Sequence, residues 1–256
     1  MNAIERKRYI LDELQRNGSV VITDLAERIQ VSSMTIRRDL AALERKGLIT
    51  RSYGGAVFNE KVGHESEFLT RQGEESEVKS LLGQRAAALV TPGDSIGIDI
   101  GTTAIEVAKY VRDIPDLTVI TASIPVINEL STARGVHLIC TGGELSPKDM
   151  SLNGHAATNM LQEYVLDKVF IGVAGISFDH GYTVFNMQDA LVKRVLIERA
   201  REVIVVADSR KIGLARYASV CPVDAANKII TDSGISDEDR RNFENAGVEV
   251  IIVDDK

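Results

Sequence analysis

The chain has no tryptophan, two cysteines, four histidines and only 5% aromatic residues in its 256 positions. Cys140 and Cys221 make neither a disulfide framework nor a zinc site, and since both stand in apolar segments they are expected as buried free thiols. His64, His137, His155 and His180 are scattered without metal-ligand spacing, and no nucleophile elbow accompanies them. No catalytic residue, metal ligand or cofactor is therefore assigned. Long apolar runs are missing too. Val203 to Ala207 is a typical apolar stretch of the chain, far shorter than the roughly 20 residues a membrane helix needs. Met1 to Arg8 lead into no apolar signal core, so the expectation is a cytoplasmic protein with no membrane partner.

What remains is the composition of a globular chain, 44% hydrophobic and 26% charged, long enough for one large domain or two unequal ones. The net charge of -7 is unevenly spread: residues 1–56 carry +3 and the rest carry -10. A small cationic head on an acidic body is the pattern of an anion-binding module attached to a larger domain.

The hydrophobic period supports that division. Ile4, Ile10, Leu11 and Leu14 share one helical stripe that stops at Asn17-Gly18. Ser19 to Ile22 lead to Thr23, expected as the N-cap of a short second helix with Leu25, Ala26 and Ile29 inward. After Gln30-Val31-Ser32, Ser33 is expected to cap a third helix in which Ile36, Leu40 and Leu43 face inward. Two helices joined by about three residues make a helix-turn-helix. Leu48 to Val57 then read as a strand, a Gly54-Gly55 turn and a short return, the shape of a wing. The division is 1–57 for the winged helix-turn-helix, 58–76 for a polar linker and 77–256 for the second domain. There, continuous β-branched runs such as 117–120, 168–173 and 203–207 alternate with amphipathic helices, which predicts an α/β fold with a mostly parallel sheet covered on both faces.

Two constellations carry chemistry. Ser32, Ser33, Thr35, Arg37 and Arg38 gather at the start of the third helix, where a recognition helix in the major groove offers side chains to base edges and grips phosphates. Arg51 and Tyr53, beside the glycine pair, suit a wing tip on the sugar-phosphate backbone. In the second domain Asp99-Ile100-Gly101-Thr102-Thr103 follows a strand and opens a helix, and helix N-terminal amides with hydroxyl donors form an anion site. Phosphate is the natural ligand, while the missing P-loop lysine and dinucleotide glycines disfavour nucleotides. Thr121 and Ser123, then Gly142, Gly143 and Glu144, fall at the ends of later strands and suit a polyhydroxy ligand, and Asp208 and Lys211 add a carboxylate and a cation to the same rim.

These motifs together resemble the DeoR family of bacterial transcriptional repressors over essentially the whole length. Val31 to Leu40, Gly47-Leu48-Ile49 and Tyr53 to Ala56 are similar to its N-terminal signature, and Asp99 to Thr103, Thr141-Gly142-Gly143, Phe170 to Val173 and Ala207 to Lys211 to the landmarks of its sensor domain. The resemblance implies a winged helix, a sensor like ribose-5-phosphate isomerase in fold, a phosphorylated sugar as effector, operator DNA as partner and a homo-oligomer, dimer or tetramer. By residue, Thr35, Arg37 and Arg38 take the DNA role, Gly101, Thr102 and Thr103 the phosphate role, and Asp208 and Lys211 a place at the rim. The chain departs from many relatives at Ala122, Ala174, Met187 and Gln188, which removes polar groups from the expected pocket. The alternative is a sugar-phosphate isomerase or deaminase with an appended winged helix, which the missing acidic residue at Ala174 disfavours.

Overall fold

The computed structural model describes residues 3–17, 19–45, 49–52, 54–58, 68 and 76–254. They fall in two compact units, one within residues 1–64 and the other within 65–256.

The small unit contains α1 (Ala3–Asn17), β1 (Ser19–Val21), α2 (Ile22–Arg28), α3 (Ser33–Arg45), β2 (Ile49–Ser52) and β3 (Gly55–Phe58). Its core collects Ile10 and Leu14 from α1, Leu25 from α2, Ile36, Leu40 and Leu43 from α3, and Ile49 from β2, as the 3.6-residue spacing predicts. Arg6 of α1 reaches Asp39 of α3 at 2.5 Å, and both side chains are largely buried, so an ion pair fastens the first helix to the third.

Three local expectations are corrected. Thr23 is not an N-cap. Helix α2 begins two residues earlier, with Val21 as its N-cap residue, because Ile22 is buried and its N–H donates to the Gly54 carbonyl at 2.9 Å, leaving the Thr23 hydroxyl to Asp24. The cap of α3 is Ser32, whose Oγ accepts from the Thr35 N–H at 3.2 Å, so Ser33 lies inside the first turn. The residues from Ser19 form a strand, and the wing is a three-stranded antiparallel sheet in the order β1-β3-β2.

The large unit runs α4 (Ser76–Ala87), β4 (Ser95–Ile98), α5 (Ala104–Val111), β5 (Leu117–Thr121), α6 (Ile124–Leu130), β6 (Val136–Cys140), β7 (Glu144–Ser146), β8 (Ser151–Asn153), α7 (His155–Gln162) and β9 (Leu166–Ile171). It continues through β10 (Gly175–Ser177), β11 (Gly181–Val184), α8 (Met187–Glu198), β12 (Ala200–Val206), β13 (Ala218–Cys221), β14 (Lys228–Asp232), α9 (Asp237–Asn245) and β15 (Glu249–Val253). Seven strands form one parallel sheet in the order β15-β14-β12-β9-β4-β5-β6.

The period of two along each strand divides the core. Val169, Ile171, Val203 and Val205 join one hydrophobic layer with α8, while Phe170, Ile204 and Val206 join the other with α4 and α5. Both faces are thus buried, which is why the central strands read as unbroken apolar runs. Smaller antiparallel pieces, the β7-β8 hairpin and the β10-β11-β13 sheet, sit outside that frame. The cysteines correct one expectation: both are free, but Cys140, at the end of the edge strand β6, is exposed and Cys221 only partly covered.

Leu40 is fully buried at the centre of the small unit. Leu40→Ala should cost the unit about 2–5 kcal/mol, read as a lower urea midpoint for its helical signal; a loss near zero would show that α3 does not carry the core.

Candidate functional site

At the start of α3 Ile36 points inward and the side chains around it point outward. Ser32, Ser33, Arg37 and Arg38 are exposed, Met34 is 68% exposed and Thr35 is half-buried with its hydroxyl 2.9 Å from that of Ser32. Three other arginines of this unit are committed: Arg6 to Asp39, Arg28 to Glu13 at 2.8 Å, and Arg51 to Glu44 at 2.6 Å. Arg37 and Arg38 have no ion-pair partner among the described residues, so one exposed turn presents two uncompensated cations. Arg51 stands on β2 facing α3, and Tyr53 lies outside the described residues.

In the large unit every strand of the main sheet points the same way, so the loops after β4, β5, β6, β9, β12 and β14 gather at one edge. From β4 the chain winds outward through β5 to β6, then returns to the other side of β4 and winds through β9, β12 and β14 to β15. The reversal falls between β4 and β9, the position where open α/β sheets leave a ligand crevice.

Asp99 to Thr103 sit at this reversal. Gly101 has φ +109°, a left-handed conformation that side chains resist, although a Cβ there would meet open space; backbone geometry alone calls for glycine. Ile105 N–H donates to the Gly101 carbonyl at 3.3 Å, extending the first turn of α5 back into the loop. Thr102 and Thr103 are buried, and Thr103, though the N-cap residue of α5, makes no capping bond; its Oγ1 is buried without a partner. The plain explanation of Thr103 as a helix cap is thereby removed.

Asp99 is sealed from solvent. Its Oδ2 accepts from the Gly172 N–H at 2.9 Å, just after β9, and from the Lys193 ammonium of α8, while its Oδ1 is buried without a partner. Lys193 is itself buried and lies 3.0 Å from Asp189 Oδ1 one turn back on α8. Burial alone would strip the Lys193 proton, but Asp189 and Asp99 outweigh it and push its pKa up to about 12. Asn186 caps α8 through the Asp189 N–H at 2.8 Å and donates to Asp149 Oδ2 at 3.2 Å, linking this cluster to the connection between β7 and β8. Phe68, buried in the large unit, donates its N–H to the Lys148 carbonyl of the same connection at 3.2 Å.

Other residues expected at the rim behave differently. Thr121 and Ser123 are buried and use their side-chain oxygens locally: Thr121 Oγ1 accepts from the Ser123 N–H at 3.0 Å, and Ser123 Oγ caps α6 by accepting from the Val126 N–H at 3.4 Å. Gly143 has φ +114° and passes so close to β8 that a Cβ would stand 2.4 Å from the Asn153 carbonyl oxygen. Gly142 and Glu144 are exposed, with Glu144 beside Gly154. Asp208 is buried; burial raises its carboxyl, but Lys211, Arg210 and Lys79 together hold it below the ordinary range. Lys79, buried on α4, and Lys193 carry no sequence signal beyond a cation in a helix, and the patterning does not reveal either. Among the described residues no group of His, Cys, Asp and Glu could hold a metal ion, and no helix is long and apolar enough to cross a membrane.

Residues 6–62 match the DeoR-like helix-turn-helix domain and residues 74–233 the DeoR C terminal sensor domain. The chain belongs to the DeoR family of transcriptional regulators and is not an enzyme. It is 34% identical over 251 residues to a protein of Escherichia coli O157:H7 named for repression of the aga operon, covering 97% of this chain and 93% of that one. With the HTH-type transcriptional repressor GlcR of Bacillus subtilis (strain 168) it shares 35% over 228 residues, 89% of this chain and 88% of that one. Among solved structures it is similar to ribose 5-phosphate isomerase A of Methanocaldococcus jannaschii at a TM-score of 0.41 and 16% identity, over 54% of this chain and 55% of that one.

Asp189 supplies a pH test. Burial raises its carboxyl from 3.8 to about 6 against the pull of Lys193, with Asp99 and Asp149 adding to the rise. A proton held by the native state and released by the unfolded chain stabilises fold at low pH: this contribution is complete below pH 3.8 and is lost as pH rises through about 6. Asp189→Asn should flatten that stretch of the urea midpoint against pH; a slope identical to that of the unaltered chain would place the titration elsewhere.

Proposed function

We propose that this regulator represses a carbohydrate-use operon in the cytoplasm and is released from its operator by a phosphorylated sugar bound in the sensor domain. The DNA half rests on the exposed, unpaired Arg37 and Arg38 at the start of α3, set on a buried Ile36-Leu40-Leu43 stripe that fixes their direction. Ser32, Ser33 and Thr35 add hydroxyl groups on the same turn, and Arg51 on β2 of the wing, with Tyr53 two positions on in the sequence, is assigned to the same DNA contact. As a homo-oligomer, the chain would present paired helices to repeated half-sites.

The effector half is carried by one observation: a loop with a left-handed glycine and an unpartnered buried threonine hydroxyl, opening a helix where the sheet reverses its winding. Helix N-terminal amides and a hydroxyl donor complement a phosphate. Gly142, Gly143, Glu144, Asp208 and Lys211 border the same edge of the sheet and suit the sugar, with Thr121 and Ser123 shaping the turn beneath them. Control is a difference in free energy: an effector that weakens operator binding tenfold supplies about 1.4 kcal/mol, and DNA weakens effector binding equally.

Arg37→Ala and Arg38→Ala should each weaken binding to DNA from the protein's own upstream region by about 1–3 kcal/mol if the side chain reads a base, or reduce the salt dependence if it touches phosphate. Fluorescence anisotropy at several salt concentrations measures both, and unchanged affinity in the two variants would sink the helix assignment. In the same assay a panel of phosphosugars and their unphosphorylated parents should yield one phosphosugar that alters DNA affinity while its parent does not. Thr102→Ala and Thr103→Ala should abolish that response without loss of DNA binding; a normal response in both would remove the loop from the effector site.

A further inference from the structure

We propose that Asp99 reads a hydroxyl group of the effector, and that Lys193 is the positioning residue that lets a carboxylate stand beside an anion-binding loop. The inference rests on the Gly101 to Thr103 loop as the phosphate cradle and extends it to the other end of the ligand.

Asp99 and the loop it heads have opposite chemistry. An ionised carboxylate only accepts hydrogen bonds, and so does the dianionic phosphate of a monoester, so Asp99 cannot bond to the group that the loop amides hold. Its Oδ2 is taken by the Gly172 N–H and the Lys193 ammonium, which fixes the plane of the carboxylate. Its Oδ1 is buried and has no partner. Four residues on, the unpartnered Thr103 Oγ1 is a hydroxyl and can donate. A ligand satisfying both atoms carries an acceptor-rich anion at one end and a donor at the other: a phosphate monoester of a polyol, with a hydroxyl presented to Asp99. Sulfate, a tetrahedral dianion with no hydrogen at neutral pH, satisfies only the first, whereas inorganic phosphate keeps an O–H of its own.

Charge explains why a lysine is needed. Asp99 and Asp189 both approach Lys193, and Asp149 repels Asp189 from the β7-β8 side. Without Lys193 these carboxylates would face an incoming dianion with no cation inside the cluster. With it, the excess negative charge is reduced and Asp99 is held to one orientation. Neither role brings Lys193 into contact with phosphate.

The test measures binding of sulfate, and of ribose 5-phosphate, glucose 6-phosphate, fructose 6-phosphate, fructose 1-phosphate, tagatose 6-phosphate and glucosamine 6-phosphate, to the full chain by calorimetry. The tightest sugar phosphate should bind the unaltered protein about tenfold or more tighter than sulfate, the size of a hydrogen bond to a charged group. Asp99→Asn should move the two ligands in opposite directions: the sugar phosphate weakens about tenfold, while sulfate tightens because a like charge has gone. Lys193→Met should weaken both, and Lys193→Arg should recover anion binding; where the methionine variant does not fold, Asp99→Asn and Lys193→Arg decide. A fall of both affinities by the same factor in Asp99→Asn would overturn the inference, as would sugar phosphates binding no better than sulfate, and either result leaves the loop standing. An unaltered protein that binds neither ligand overturns the loop reading and this one with it.

Discussion

A carboxylate at the end of a central parallel strand is buried among hydrophobic layers, and without a cation the cost would be several kcal/mol. Asp99 obtains its cation from Lys193, 94 residues along the chain, and its backbone donor from Gly172, 73 residues along. Both can arrive only if β9 lies beside β4 and α8 lies across the ends of those strands. The ion pair therefore depends on the order of the sheet, and it holds in register the loop after β4, the loop after β9 and the second turn of α8. Through Asn186 the constraint extends to Asp149. A network of this kind is stable when every member is present and fails when one is removed, since breaking a buried pair leaves a charge alone.

The two units solve opposite problems with charge. In the large unit cations are drawn inward: Lys79 and Lys193 are buried and answered by Asp208, Asp99 and Asp189. In the small unit three of the described arginines are tied down by neighbouring carboxylates, while Arg37 and Arg38 are left outside. The first arrangement ties together the loops where the sheet reverses its winding, and the second leaves a cationic turn facing solvent. Net charge over the whole chain, which is -7, conceals both.

Much of this was legible in the sequence because the relevant signals are local. The stripe Ile36-Leu40-Leu43 fixes the face of α3, and the unbroken runs in β9 and β12 announce strands covered on both sides. What escaped is non-local. Strands of three or four residues such as β10, β11 and β13 leave no period, and the pairing of Thr183 with Ser219 joins segments far apart in sequence. Lys193 sits in α8 between Val192 and Arg194 and reads as an ordinary helix cation; only packing across the sheet buries it. Thr23 was misplaced for a related reason, since the burial of Ile22 and its bond to Gly54 start the helix early and override the capping preference. The glycine and hydroxyls of the loop at Asp99 stand in the sequence, but which of its polar atoms are left without partners required the burial of each.

The joining of β1 to the wing gives the small unit a further property. Its pairings, Ser19 with Val57 and Ile49 with Phe58 among them, close within the first 58 residues, whereas the large unit must bring β4 beside β9 across some seventy residues before its sheet has a centre. Chains rich in short-range contacts fold faster, and N-terminal domains emerge first during synthesis. The DNA-reading unit is thus the element able to take its native form while most of the sensor is still being made.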